Sequence, residues 1–192
     1  MSNFSFIDKK NIENSSFVLD EKESHHIVSV LRLKENSNLI LTDGQGKVYY
    51  AVIIELNKKS VKGKILREEK ISNNQKYLIH LALPLIKNNR FKIALEKSVE
   101  LGVNEITPIK FDKSVKSKIN YDKIHSTIHS ACKQSKRSYF PKLNKLKTFR
   151  EWYDSNAVNI VCLIDSEKTI LDQLDLIKSC LKNNHKINLI VG

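Results

Sequence analysis

Only three of the 192 residues are cysteine, Cys132, Cys162 and Cys180, and no C-x-x-C pair occurs. An odd, unpaired set argues against a disulfide framework and against a cysteine-based zinc site. Each thiol is expected to act as a small buried hydrophobe. No apolar run is long enough to cross a bilayer. The first ten residues lack the layout of a signal peptide, so a cytoplasmic protein is expected. The G-x-S-x-G, Walker and full G-x-G-x-x-G patterns are absent. No internal repeat or low-complexity segment occurs.

Two histidine groupings lack what chemistry would require. His125 and His129 stand one helical turn apart with Cys132 near the same side, but no carboxylate completes a metal set. No metal is expected there. His25-His26 flanks the apolar positions of a short helix, with one ring expected to pack and the other to face solvent.

Acidic residues are missing from one tract. Residues 110–150 hold twelve Lys/Arg against only Asp112 and Asp122, and so carry most of the formal charge of +12. The two flanks sum to +4 and −2. A concentrated basic tract points to a polyanion, and nucleic acid is favoured over a solvated face. No amphipathic helix pairs bulky anchors with a basic face, which argues against a membrane surface.

What is present is organised around Arg90-Phe-Lys-Ile-Ala-Leu-Glu-Lys-Ser-Val-Glu-Leu-Gly-Val-Asn-Glu-Ile-Thr-Pro108. Phe91, Ala94, Leu95, Ser98 and Leu101 fall at helical spacing and predict one inward stripe. Asn88 or Asn89 is the expected cap, and Gly102 the expected stop. The apolar run Tyr77–Leu83 reads as a strand buried on both faces. Glu105–Phe111 reads as the next strand, with Pro108 implying an edge or a bulge. Strand, helix, glycine turn and strand make a right-handed βαβ unit. Its loop Leu85–Arg90 lies at a C-terminal strand end, where ligands of α/β proteins bind.

Residues 1–72 read as a small β-rich domain. It is expected to hold a short helix from Asp20, strands over 38–42, 47–55 and 61–66, and a hairpin turn at Asp43-Gly-Gln-Gly46. Sequential antiparallel strands suggest a small barrel. The polar stretch Ile71–Lys76 is the expected linker. Residues 73–192 then form the α/β part. It should include a helix from near Asn120 with Ile124, Ile128, Ala131, Cys132 and Ser135 on one face, and a buried strand over 157–164. A helix over 169–183 with Ile170, Leu171, Leu174, Ile177 and Leu181 inward and a strand over 186–191 complete it. Arg32 and Arg137 each follow a helix, where a guanidinium can grip a phosphate bidentately or serve as a surface or dipole partner.

Three stretches together carry a resemblance. They are His26-Ile-Val-Ser-Val-Leu-Arg-Leu-Lys34 with Leu41-Thr-Asp-Gly44, Glu96–Pro108, and Ala131-Cys-Lys-Gln-Ser-Lys-Arg137 with Pro141. In this order and spacing they resemble the 16S ribosomal RNA uridine-N3 methyltransferase family of the SPOUT superfamily. The resemblance implies a PUA-like RNA-binding β-barrel followed by an α/β methyltransferase domain. It further implies S-adenosyl-L-methionine as cofactor, a homodimer, and 16S rRNA of the small ribosomal subunit as partner. Arg32, Lys34, Arg90 and Arg137 are the expected RNA-gripping cations. Leu163, Ile164, Asp165 and Gly192 are the expected cofactor residues, and no residue is assigned as general base.

The chain departs from the family at Lys133, where an acid is usual, at Lys136, where glycine is usual, and at Lys113, where arginine is usual. Only Gly192 represents the family's glycine-rich loop after the last strand, with the trefoil knot beyond it. The expectation is that residues 1–192 alone bind RNA but do not methylate it. The rival expectation is a non-catalytic rRNA-binding protein or a decayed methyltransferase.

Overall fold

The computed structural model describes residues 3–112, 119–182 and 186–191. The chain divides into two units: Met1–Asn73 with Cys132–Phe140, and Asn74–Ala131 with Pro141–Gly192. The short segment Cys132–Phe140, from the basic tract, thus belongs with the N-terminal unit.

The first unit is built on β1 (Phe4–Phe6), β2 (Ile12–Glu13), β3 (Ser16–Val18), β4 (Asn38–Thr42), β5 (Lys47–Glu55) and β6 (Lys62–Lys70). They form one sheet in the order β1-β4-β5-β6-β3-β2, antiparallel except for β1 beside β4. In β5, Tyr49, Ala51 and Ile53 alternate inward, as the period of two requires. They meet Ile7, Phe17, Leu19, Ile27, Leu39, Leu41 and Val61 in one core. Gly63 of β6 is fixed by packing, because a Cβ there would sit 2.2 Å from the Val52 carbonyl and 2.5 Å from the Phe17 ring.

The β4–β5 turn is where the sequence puts it. Gly44 and Gly46 adopt φ of +71° and +95°, and Asp43 Oδ1 accepts from the N–H groups of Gln45 and Lys47. The capped helix α1 (Glu21–His25) also appears, with Asp20 Oδ1 accepting the Glu23 N–H at 2.8 Å. It continues into a wider π turn over His26–Leu31.

The second unit holds β7 (Leu78–Pro84), α2 (Asn88–Glu100), β8 (Glu105–Lys110), β9 (Lys142–Leu143), β10 (Lys147–Thr148), α4 (Phe149–Trp152), β11 (Val158–Cys162), α5 (Leu174–Cys180) and β12 (Lys186–Val191). α3 (Tyr121–Gln134) lies in it through Ala131. The sheet is parallel throughout, in the order β10-β8-β7-β12-β11, with β9 also on β8. Ile106 O and Asn104 O of the β8 segment accept from Asn144 and Lys142, away from β7. By the same alternation Pro108 turns its nitrogen outward, into the gap between the β9 and β10 pairings.

Several expectations change. α2 starts at Asn88 with Lys87 as its uncapped entry residue, so neither asparagine is the cap. Leu95 and Val99 are its buried pair, whereas Leu101 is 85% exposed. The stop is as read: Gly102 has φ +97°, and the Val103 N–H returns to Ser98 O. Asn120 caps α3 through the Lys123 N–H, and Ile124, Ile128, Ala131 and Cys132 are buried, but Ser135 is exposed. β11 is the sheet's edge and is only half buried. The helix expected over 169–183 is a 3-10 turn at Leu171–Gln173 followed by α5. Of its apolar stripe only Leu181 is buried; Ile170, Leu171 and Leu174 are exposed because this helix covers little of the sheet edge.

A polar ladder crosses the sheet. Asn188 Nδ2 donates to Asn159 Oδ1 at 3.0 Å. His80 stands opposite Asn188 in the register, and its Nε2 lies 2.7 Å from Thr107 Oγ1. Asn144 Nδ2 donates to the same hydroxyl at 3.0 Å. Trp152 also donates to His80 Nε2. An Nε2 that accepts from an indole carries no proton, so the network assigns the proton to Nδ1. Glu105 Oε2 lies 3.8 Å from Nδ1, beyond hydrogen-bond reach.

Candidate functional site

Two regions gather the residues of interest, one in each unit. In the first unit, the π turn anchors Ile27 at 0% exposure and ends at Arg32, whose φ of +52° is left-handed. The Arg32 N–H bonds back to Ile27 O. With Ile27, Val28, Leu31 and Leu33 drawn to the core, Arg32 and Lys34 are left in solvent. Neither makes an ion pair among the described residues.

Arg137 belongs to the same unit. α3 stops at Gln134, Lys136 takes a left-handed φ of +54°, and the Arg137 N–H closes on Cys132 O at 2.9 Å. Lys136 therefore occupies a backbone conformation that suits glycine. Arg137 is half buried, and burial pulls its guanidinium below the usual value. Burial also pushes the Cys132 thiol up to about 12. His25 is exposed and His26 half buried, with burial and then Lys133 holding the His26 pKa low.

Lys133 is a member of the basic tract that does not face solvent. Its Nζ is 2.7 Å from Glu23 Oε1, and the Lys133 and Glu23 side chains are 13% and 5% exposed. Its charge is spent inside the protein. His125 is exposed, and no group of metal-ligating residues occurs among the described residues.

In the second unit a cavity of about 750 Å³ opens at the C-terminal ends of β7 and β12. Leu83, Pro84, Leu101, Phe111 and Val191 make it apolar, with Lys87 and Arg90 at its margin. Lys97 also reaches it but pairs with Glu100, three residues on along α2, at 2.7 Å. The exposed Leu101 is explained here, since it lines the cavity rather than the core. Its size and apolar walls fit an adenosyl-sized group, and its cations fit an anionic one.

The residues assigned to a cofactor from the resemblance lie on the neighbouring strand. Leu163, Ile164 and Asp165 follow β11, and the first two are 60% and 94% exposed. Leu163 borders a second hollow, of about 650 Å³, with Ile160, Ser166 and Thr169. Gly192 and Lys113 lie outside the described residues. The structure thus places Arg32, Lys34 and Arg137 in one unit and Arg90 in the other. Leu83, Pro84, Leu101 and Phe111 line the cavity but were not picked from the sequence. A signal was available for three of them, since Leu83 and Pro84 end β7 and Phe111 follows β8, where ligands collect; Leu101 instead ends α2.

Residues 73–192 match the RNA methyltransferase domain, and residues 19–66 match the RNA methyltransferase PUA domain. The chain is 28% identical over 186 residues to ribosomal RNA small subunit methyltransferase E of Buchnera aphidicola subsp. Acyrthosiphon pisum, covering 93% of this chain and 72% of that protein. It is 34% identical over 170 residues to ribosomal RNA small subunit methyltransferase E of Mesomycoplasma hyopneumoniae, covering 85% and 70%. Among solved structures, a predicted RNA methyltransferase of Thermotoga maritima superposes with a TM-score of 0.78 at 30% identity, over 98% of this chain and 80% of that one. Ribosomal RNA small subunit methyltransferase E from Neisseria gonorrhoeae, bound to S-adenosyl methionine, gives 0.79 at 25% identity, over 98% and 78%. With a PUA domain, a parallel α/β domain whose cavity opens at the strand ends, and relatives of one name matched along nearly its whole length, the chain belongs to the ribosomal RNA small subunit methyltransferase E family of the SPOUT superfamily.

Proposed function

We propose that this chain serves the methylation of N3 of a uridine in 16S ribosomal RNA near the decoding centre, with S-adenosyl-L-methionine as methyl donor. The observation that carries the reading is the apolar cavity at the ends of β7 and β12, edged by Lys87 and Arg90. Relatives named for small-subunit rRNA methylation, one of them bound to the donor, support it.

When bound, the donor supplies an electrophilic methyl on a sulfonium. Uridine N3 is a weakly acidic imide, so its lone pair is free only after the proton and the base pair are lost. The base must therefore be drawn out and aligned. Leu83, Pro84 and Phe111 would exclude water beside the methyl. Leu163, Ile164, Asp165 and Gly192 would border the adenosyl group. Arg32, Lys34, Arg90 and Arg137 would hold the RNA backbone, with the protein acting as a cytoplasmic homodimer on the small subunit and needing neither a metal nor a membrane. Leu163 and Ile164 stand open to solvent, where a bound group could cover them.

The test compares 16S rRNA from cells carrying and lacking the gene. An N3-methyl blocks Watson–Crick pairing and stops primer extension. One stop should vanish on deletion and return with the gene, and an Arg90→Ala gene should restore it poorly. An unchanged stop pattern would favour the non-catalytic rRNA-binding reading.

A further inference from the structure

Lys133 is a member of the basic tract that cannot meet a phosphate, because Glu23 holds it 2.7 Å away in a nearly buried pair. Glu23 is itself fixed, since Asp20 caps its N–H and α1 carries it. The pair joins residues 110 positions apart and pins the start of the segment Cys132–Phe140.

The end of the segment is pinned differently. Gly46 N–H donates to Ser138 O and Phe140 N–H donates to Gly44 O, both at 2.9 Å. Tyr139 Oη donates to Ile71 O at 2.8 Å. The Tyr139 ring fills the space a Cβ on Gly46 would need, and the Phe140 ring lies against Gly44 and 5.5 Å from Phe6. Between the two anchors lies the bend Lys136–Arg137, with Lys136 left-handed and Arg137 tied to Cys132 O.

We propose that the Glu23–Lys133 pair is a positioning device for RNA binding. It holds the Lys136–Arg137 bend in place on the first unit, so that an RNA backbone meets Arg137 already ordered. The proposal rests on the reading that Arg137 grips RNA. A segment held less firmly at its start would have to be ordered further on binding, and the affinity would fall by that cost without any phosphate contact being lost.

The experiment is filter binding of a 16S rRNA fragment over a salt range, with thermal melting of each variant to confirm folding. Arg137→Ala should lower the slope of log affinity on log salt by roughly one unit, the share of one phosphate contact. Lys133→Met should lower affinity roughly tenfold at every salt concentration with the slope unchanged, the signature of an ordering cost rather than of a lost charge contact. Lys133→Arg and the exchanged pair Glu23→Lys with Lys133→Glu should recover most of that loss. A slope lowered by Lys133→Met as it is by Arg137→Ala would make Lys133 a direct contact and overturn the proposal. Unchanged affinity with a lower melting temperature would also overturn it, leaving the pair a stabilising contact only. If Arg137→Ala changes neither affinity nor slope, the assignment of Arg137 to RNA fails first, and the positioning role falls with it.

Discussion

Trp152 donates its indole N–H to Nε2 of His80 across 3.1 Å, and both side chains are almost fully buried. Burial holds the His80 pKa below its ordinary 6.5; Glu105 opposes this, while Lys186 and Lys147 add to it. Between the depressed folded value and 6.5 the unfolded chain takes a proton that the folded chain refuses. Stability is therefore full above about pH 6.5 and falls as pH drops below it. His26, also depressed, acts with the same sign. Urea unfolding should show stability falling as pH drops from about 7.5 to about 5.5. His80→Asn should flatten that dependence, and an equal loss in the variant would place the sensitivity elsewhere.

Two glycines should respond differently to alanine. At Gly63 the added Cβ meets the Val52 carbonyl at 2.2 Å, and neither strand can yield without breaking the β5–β6 ladder. A loss of about 3 kcal/mol is expected. At Gly102 the nearest obstacle is the flexible Gln75 amide at 3.3 Å, and the loss comes from the positive φ, about 1 kcal/mol. Similar midpoints for the two variants in urea would show that the β5–β6 pairing is looser than the register implies.

Lys136→Gly should stabilise the first unit. A left-handed lysine costs about 1 kcal/mol that glycine does not, so the variant should melt several degrees higher than Lys136→Ala. No difference between the two would mean that the segment relaxes out of its left-handed bend.

The three thiols should separate by reactivity. Cys132 is fully buried with its pKa pushed up to about 12, Cys162 is half buried and Cys180 is exposed. A thiolate-specific disulfide reagent at pH 8 should label Cys180 first, Cys162 later and Cys132 only after denaturation. Early labelling of Cys132 would show that the end of α3 opens readily.

The elements that read well were those with local chemical cause. The Asp20 cap, the Asp43–Gly46 turn, the Gly102 stop and the Ile124–Ile128–Cys132 stripe each depend on residues within a few positions. Ala94, Ser98 and Leu101 show where periodicity falls short. They share helical spacing with Phe91 and Leu95, but the flank they occupy lines a cavity instead of the core. The apolar residues of 157–177 mislead for a related reason, since apolar composition does not say whether another element covers them. The Glu23–Lys133 pair was illegible, because no spacing rule links two charges 110 residues apart. The candidate site was half legible. Arg32 and Arg137 could be picked by their places after helices, and the cavity wall at Leu83, Pro84 and Phe111 only through the general position of strand ends.

The position of β12 bears on how a ribosome would release this fold. The strand follows every other described strand of the second unit in sequence, yet it lies between β7 and β11 and joins them. Until it emerges, β7 and β11 have no common neighbour, and β7 keeps one row of backbone groups unpaired. The first unit has a similar dependence, because Gly44, Gly46 and Ile71 wait for Ser138–Phe140. The second unit cannot close in the order in which its strands are made. Nascent chains should therefore carry open edges until β12 pairs, and protease resistance should come in two steps, one once Ser138–Phe140 has emerged and one once β12 has.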